Sequence, residues 1–549
     1  MPLRILRYIA LVVLVGALFT AAARAQTTGP APGDAFATAV AGLTADSFSE
    51  KSAAVTALVE LKHPNGRAVL AALLDSKLYL RNADNKVFIT DAGEAELALT
   101  DPLTLTAAGK GKPDDYSRIT TNNSLRKALR SAVAAFALSD PDADVRLIAV
   151  RDMLRSIDDE NVALLRAGLE KEADDDVRQA MREGIALADL DSAEADTRLA
   201  ALGVLEKSLS PDVFNRLTTM ITAGDGGVYP EPDERVRTAA REVIASIQSA
   251  RQLYSTIETL FFGLGLGSVL VLAAIGLAIT FGVMGVINMA HGELIMLGAY
   301  CTYGIQYWFP STMQYSVLLA IPVAFLVSGL VGVIIERGIV RFLYGRPLET
   351  LLATFGVSLI LQQVVRDGVS PNNVPVVTPE WMSGSLQIND ALSITYNRLY
   401  VFLFMMIVFA VLQLVMKKTT LGLKVRAVAQ NRNMAKAMGV RTQWVDAMTF
   451  GLGSGIAGVA GVALSQLTNV GPNLGQSYII DSFMVVVFGG VGNLWGTLVS
   501  GLSLGIVNKV LEPWAGAVLA QVFVLIALIF FIQRRPRGLF PQKGRGAEN

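Results

Sequence analysis

Asn288, His291 and Glu293 stand within six residues of one another in Ile287-Asn288-Met289-Ala290-His291-Gly292-Glu293, a polar group at the head of an apolar stretch. An amide, an imidazole and a carboxylate can exchange hydrogen bonds with a passing polar solute. Charged groups in an apolar helix are functional candidates because placing them there costs about 2.5–3.5 kcal/mol. Residues so closely spaced do not share one helical stripe, so a bend or a cavity is expected. A single histidine and one carboxylate do not make a metal site, and neither metal nor cofactor is expected. The group reads either as the lining or gate of a pathway or as a hydrogen-bonded helix end. Asn469, Asn473 and Asp481, with Gln362, Gln363 and Gln476, form a second polar scatter. It either receives a solute or is plain loop solvation.

Other chemistry is absent from the sequence. No G-x-x-x-x-G-K-[ST] phosphate loop, Ser/His/Asp set, Cys/His ligand cluster or H-E-x-x-H occurs, so catalysis is not expected and any ATP hydrolysis belongs to a separate subunit. Gly453, Gly455 and Gly458 match G-x-G-x-x-G, but no βαβ unit surrounds them; they read as helix packing. Cys301 is the single cysteine and has no intrachain partner.

The elements that must position these residues divide the 549-residue chain in two. Residues before about 255 carry most of the charge, and long apolar stretches follow. A spanning helix needs about 20 apolar residues. Candidates fall at 258–281, 285–308, 315–336, 349–366, 399–416, 446–467, 478–492, 495–511 and 515–533. The seventh and eighth are short and Gly-interrupted. Basic residues crowd three segments: Arg337 to Arg346, Lys417 to Arg441, and Arg534 to Arg545. Nine spans starting outside put all three inside. Arg4 and Arg7, an apolar run from Tyr8 to Phe19, and Ala23-Arg24-Ala25 describe a signal peptide over 1–25, which agrees with that orientation. On this topology the second polar scatter faces outward. Zero net charge argues against a nucleic-acid partner.

Residues 26–250 read as helical, with a recurring phrase: Asp144-Val145-Arg146, Asp176-Val177-Arg178, Arg235-Val236-Arg237 and, more weakly, Asp196-Thr197-Arg198. The phrase resembles the second helix of a HEAT-type repeat, whose helix pairs stack into a solenoid; an ordinary helical bundle is the alternative. Residues 81–125 interrupt it, with Val87-Phe88-Ile89-Thr90 expected as a hairpin and Gly109 to Asn123 as a mobile loop.

The segment from Thr419 to Val440 is basic, long enough for a short helix, and punctuated by Gly422 and Gly439. Such a connector between two spans either docks an ATPase or lies on anionic lipid.

Several segments resemble the permeases of the branched-chain amino acid class of ABC importers. They are Gly285 to Glu293; Leu421 to Asn431 with Met434, Ala435 and Gly439; Val485 to Gly492; and Arg535-Pro536-Arg537-Gly538-Leu539-Phe540. Pro347 to Thr354, Asn469 to Gln476 and Asp481 to Val487 are more similar still to the urea-importing branch, some members of which carry an N-terminal soluble extension. The resemblance implies an all-α fold: a polytopic helical permease of about eight or nine spans, preceded by a soluble HEAT-like α-helical domain. The domains are then 1–25 signal peptide, 26–250 extracytoplasmic, 251–541 transmembrane and 542–549 cytoplasmic tail. It further implies an inner-membrane location, a second related permease, two cytoplasmic ATP-binding subunits, a periplasmic urea-binding protein and a lipid surround. Within the connector it assigns ATPase coupling to Gly422, Lys424, Arg426, Ala427, Gln430, Asn431, Met434 and Gly439. Urea is the expected cargo. A branched-chain amino acid is the alternative, but the paired charges or helix ends that a zwitterion demands are not evident in the sequence. A passive urea channel needs no basic connector, and a membrane-tethered sensor needs far fewer spans.

Overall fold

The computed structural model describes residues 32–540 except 92–96, 155–156 and 225–226. The expected signal peptide and cytoplasmic tail lie outside the described residues. The chain forms two compact units, divided between Ile247 and Gln248.

In the first unit, α1 (Pro32–Gly42), α2 (Phe48–Leu61) and α3 (Gly66–Leu74) bury Phe36, Leu43, Leu58, Leu70 and Leu73 in one core. A five-stranded antiparallel sheet follows: β1 (Leu78–Arg81), β2 (Val87–Asp91), β3 (Leu97–Thr100), β4 (Ala107–Gly111) and β5 (Tyr116–Arg118), in the order β4-β3-β2-β1-β5. The all-α expectation is therefore corrected. In β3, Leu97 and Leu99 point inward and Ala98 outward, the period of two that a half-buried strand needs. The expected hairpin at Val87 to Thr90 is β2 in this sheet. The stretch expected as a mobile loop instead holds β4, a 3-10 turn and β5, paired into the sheet through Leu97 to Thr100 and Tyr79 to Arg81.

Helices α4 (Asn123–Ala137), α5 (Ala143–Leu154), α6 (Asp159–Leu169), α7 (Asp175–Asp189), α8 (Ala195–Leu205) and α9 (Pro211–Ile221) complete the unit with the start of α10 (Glu234–Met284). Each copy of the Asp/Arg phrase occupies the first turn of a helix, and each arginine reaches back to the preceding loop. Arg146 donates to the carbonyls of Asp140 and Pro141, Arg178 to Ala173, Arg198 to Ser192 and Ala193, and Arg237 to Glu231 and Pro232. Two of these arginines also fork onto a glutamate six residues before the arginine of a later copy. Arg146 holds Glu172 at 2.9 and 2.8 Å, and Arg198 holds Glu231 at 2.9 Å twice. The phrase is thus a repeated loop clamp, not a set of solvated charges.

The second unit is helical: the rest of α10, then α11 (His291–Trp308), α12 (Ser316–Gly338), α13 (Pro347–Gly368), α14 (Tyr396–Lys418), α15 (Thr420–Gln430), α16 (Arg432–Ala437), α17 (Thr442–Ser465), α18 (Leu474–Gly489) and α19 (Leu494–Arg534). A hairpin of β6 (Ser385–Asn389) and β7 (Leu392–Thr395) precedes α14. Among the described residues six helices are long and apolar enough to cross a membrane: α10, α12 with its leading 3-10 turn, α13, α14, α17 and α19. Helix α18 is shorter, and α11 starts six residues later than the expected second span. The last two expected spans lie in α19, which departs from helical geometry at Gly516, at φ +77°.

Helix α17 is buried along nearly its whole length. Its glycines let neighbouring backbones touch it. A Cβ on Gly458 would meet Ser328 and Ala324 of α12, one on Gly461 the Ile295 carbonyl of α11, and one on Gly455 the Phe325 ring. The G-x-G-x-x-G match is a packing surface, as its sequence setting suggested.

Candidate functional site

Helix α10 stops at Met284, Gly285 takes φ +66°, and residues 285–290 are not helical. The expected bend is present. The chain then runs back alongside α10: His291, at the start of α11, sets Nε2 2.8 Å from the carbonyl oxygen of Ala273, eleven residues before Met284. That is about 16 Å of helix, so α11 begins well inside the helical layer. A carbonyl only accepts, which assigns the ring proton to Nε2 and leaves Nδ1 as an acceptor.

Asn288 accepts from the Ala290 amide at 3.1 Å, and the Met289 amide donates to Thr354 Oγ1 at 3.1 Å. Glu293 Oε1 accepts from Ser358 Oγ at 3.0 Å and from Gln362 Nε2 at 2.7 Å. Thr354, Ser358 and Gln362 lie four apart on one face of α13, the spacing that aligns side chains along a helix. Asn288, His291 and Glu293 are each at most 1% exposed. Three of their polar atoms, Asn288 Nδ2, His291 Nδ1 and Glu293 Oε2, have no partner among the described residues. One donor and two acceptors are left unused in a place where more than nine in ten buried polar groups are normally paired.

A second interruption meets the first. Helix α17 ends at Ser465 and α18 begins at Leu474. A Cβ on Gly475 would overlap the Gly292 carbonyl, and one on Gly292 the Gly475 carbonyl, so the first turns of α11 and α18 touch backbone to backbone. Helices α10 and α17 make the same reciprocal contact at Gly276 and Gly453. The helix end that the sequence allowed at the polar trio is thus joined by a second, at the start of α18, and each carries the positive end of a helix dipole.

The remaining site residues are placed differently. Asp481 is buried two turns into α18. Asn469 and Asn473 are exposed in the interruption, and Asn473 accepts from Arg366 at 2.7 Å, one turn beyond Gln362. The structure does not bring these two into the buried trio. Thr354, Ser358 and Arg366 were missed in the sequence reading. The polar stripe Thr350, Thr354, Ser358, Gln362 and Arg366, spaced four residues apart, is the signal that identifies them.

The basic connector is helical. Thr419 caps α15 by accepting from the Gly422 amide, and Asn431 caps α16 by accepting from the Met434 amide. A side chain at Gly422 would run into the Met416 backbone, and Gly439 closes the connector at φ +86°. Val425, Val428 and Ala435 pack on Val283 and Val445. Ala427 is half-buried, whereas Lys424, Arg426, Gln430 and Met434 are exposed. Arg426 donates to the Met416 carbonyl. Beneath this layer Arg432 forks onto Asp446 of α17 and lies 5.1 Å from the Tyr344 ring, while Tyr344 donates to Glu336 at 2.9 Å. Asp446, Tyr344 and Glu336 are further residues that the sequence reading did not single out.

Residues 259–532 match the family described as the branched-chain amino acid transport system permease component. The membrane half belongs to this permease family. The high-affinity branched-chain amino acid transport permease LivH of Salmonella typhimurium is 28% identical over 309 residues, covering 53% of this chain and 97% of that protein. BraD of Pseudomonas aeruginosa, of the same description, is 29% identical over 302 residues, covering 52% and 96%. The ribose import permease RbsC of Haemophilus influenzae is 23% identical over 256 residues, covering 45% and 74%. No solved structure matches. The permease is a transporter subunit and not an enzyme, as these relatives are. Its matched segment contains both helix interruptions, the polar trio and the connector.

Proposed function

We propose that this permease is the membrane subunit of an ATP-driven importer, and that a small nitrogen-bearing solute crosses it at the paired interruptions before α11 and α18. The observation that carries this reading is the buried trio with its unused donor and acceptors beside two helix starts. Interrupted helices of this kind present polar backbone to a solute at membrane depth. On this reading the connector 419–440 is cytoplasmic and docks an ATP-binding subunit through its exposed face. Lys424, Gln430 and Met434 contact that subunit, while Gly422, Ala427, Asn431 and Gly439 hold the connector's shape and Arg426 turns back onto the Met416 carbonyl. Asn469 and Asn473 lie toward the outside, where a periplasmic binding protein delivers its cargo. A second related permease completes the pathway.

The cargo we favour is a branched-chain amino acid, the substrate named for LivH and BraD. Its ammonium group suits Glu293 Oε2, and its carboxylate suits the dipoles of the helix starts at Gly292 and Gly475. A second reading, urea, rests on the segments from Pro347, Asn469 and Asp481 that resemble the urea-importing branch. It rests also on a side-chain set able to exchange hydrogen bonds with a neutral diamide. We further read the clamped helices of residues 123–247 as HEAT-type pairs outside the cytoplasm.

Uptake of labelled leucine and of labelled urea, each at micromolar concentration, tests this in cells with and without the chain. An arm with an ATPase-dead partner is included. Loss of ATP-dependent leucine uptake supports the first cargo. Loss of urea uptake, insensitive to excess leucine, replaces it with the second. Unchanged uptake of both overturns the importer reading for these solutes.

A further inference from the structure

Lys417 lies in the last turn of α14 and Arg426 in the middle of α15, and both line a cavity of about 600 Å³. That volume is in the range of small-molecule sites. Its apolar walls include Ile279, Val283, Val425 and Leu494, and none of its lining residues is acidic. Lys417 has no hydrogen-bond or ion-pair partner among the described residues. Arg426 meets only the neutral Met416 carbonyl. Two cations without a counter-charge thus face a chamber walled mainly by apolar side chains, with Gln413 and Asn493 also in its lining. Trp495, at the rim, is more than half exposed and sets its ring edgewise on Phe409 at 5.1 Å between centroids. Ile407, Val411 and Leu414 are exposed apolar side chains on another side of α14.

Cations over a mainly apolar slot, flanked by an amphipathic aromatic ring, are the chemistry of a phospholipid site. The phosphate meets the cations, the first methylenes meet the walls, and tryptophan marks the headgroup level. We propose that this cavity binds one anionic phospholipid, with its phosphate between Lys417 and Arg426 and an acyl chain on the apolar walls. The lipid then wedges the connector against α10 and α19. The site lies apart from the buried trio, so the proposal does not depend on which solute crosses there.

The test is native mass spectrometry of the purified full-length permease after delipidation and exposure to phosphatidylglycerol or phosphatidylcholine vesicles. The wild type is expected to retain phosphatidylglycerol preferentially. Lys417→Gln with Arg426→Gln should weaken that preference by about fivefold for each cation removed. Ala429→Trp fills the chamber and keeps both charges, and should abolish retention of the bound lipid. Equal retention of the two lipids by the wild type overturns the proposal, and so does an undiminished preference in both variants. Displacement of the lipid by millimolar inorganic phosphate, with phosphate itself bound, also overturns it by making free phosphate the ligand. Loss of ATP-binding-subunit association with lipid retention intact makes the cavity a protein dock and overturns it too.

Discussion

Arg432 holds Asp446 with both terminal guanidinium nitrogens, at 2.9 and 2.7 Å, and so fastens α16 of the connector to the second turn of α17. Asp446 has no exposed side-chain surface, while Arg432 is 39% exposed. Helix α17 in turn carries the glycines against which α10, α11 and α12 pack. A push on the connector therefore has a stiff route into the helices that frame the polar trio.

Breaking that fork from its two ends should have unequal effects. Arg432→Gln strands a buried carboxylate. Stranding a fully buried charge costs about 3–5 kcal/mol, less here because the arginine is partly solvated. Asp446→Asn leaves a cation that water can reach. Thermal melts in detergent should show the larger Tm loss for Arg432→Gln and partial recovery in the double variant. Equal losses would show that the burial of Asp446 does not govern the pair.

Glycine substitutions should separate packing from helix propensity. Gly298→Ala sets a methyl into the Gly458 carbonyl and should cost about 1–3 kcal/mol, as overpacking does. Gly356 of α13 has open space, so Gly356→Ala should be neutral or stabilise by up to about 1 kcal/mol. The two melting temperatures should move in opposite directions.

Glu293→Gln keeps the size of the side chain but removes its charge, and with it the strength of the bonds from Ser358 and Gln362. A hydrogen bond to a charged group contributes about 1.5–3 kcal/mol. Uptake at low substrate concentration should fall by about tenfold or more while the purified protein elutes as the wild type does. Ser358→Ala should have a smaller effect. Wild-type uptake by Glu293→Gln would remove the trio from the pathway.

In the first unit, the Arg146 guanidinium beside Glu172 holds its carboxyl below the usual range. A depressed folded-state value gives stability that is present above the unfolded value, near 4.3, and is lost as pH falls through the folded one. Arg146→Gln should therefore weaken the first unit at neutral pH and flatten its acid destabilisation. Melting curves from pH 7 down to pH 3 compare the two proteins. Parallel curves would mean that the clamp does not couple to protons.

What was legible in the sequence follows from how strongly each element is fixed locally. The bend before His291 was legible because three polar residues cannot share a helical stripe. The role of Glu293 was not, since Ser358 and Gln362 lie 65 and 69 residues away and only folding brings them together. The connector was legible from its charge and its two glycines, but Arg432 looked like one basic residue among several until Asp446 stood opposite it. Strands β4 and β5 escaped because Ala107–Gly111 and Tyr116–Arg118 have little apolar alternation and owe their form to pairing with neighbours. The meeting of α11 and α18 escaped because a glycine does not announce its partner.

Where Gly292 meets Gly475, main chain rests on main chain with no side chain between, whereas at Gly276 and Gly453 the His291 ring and the Thr280 methyl also close in. A branched core must exchange rotamers before it can slip, and that reordering carries an entropic toll. Bare glycine surfaces have no rotamers to exchange. The crossing of α11 and α18 beside the polar trio can therefore act as a bearing, turning by small angles while the interlocked residues of α17 stay in register.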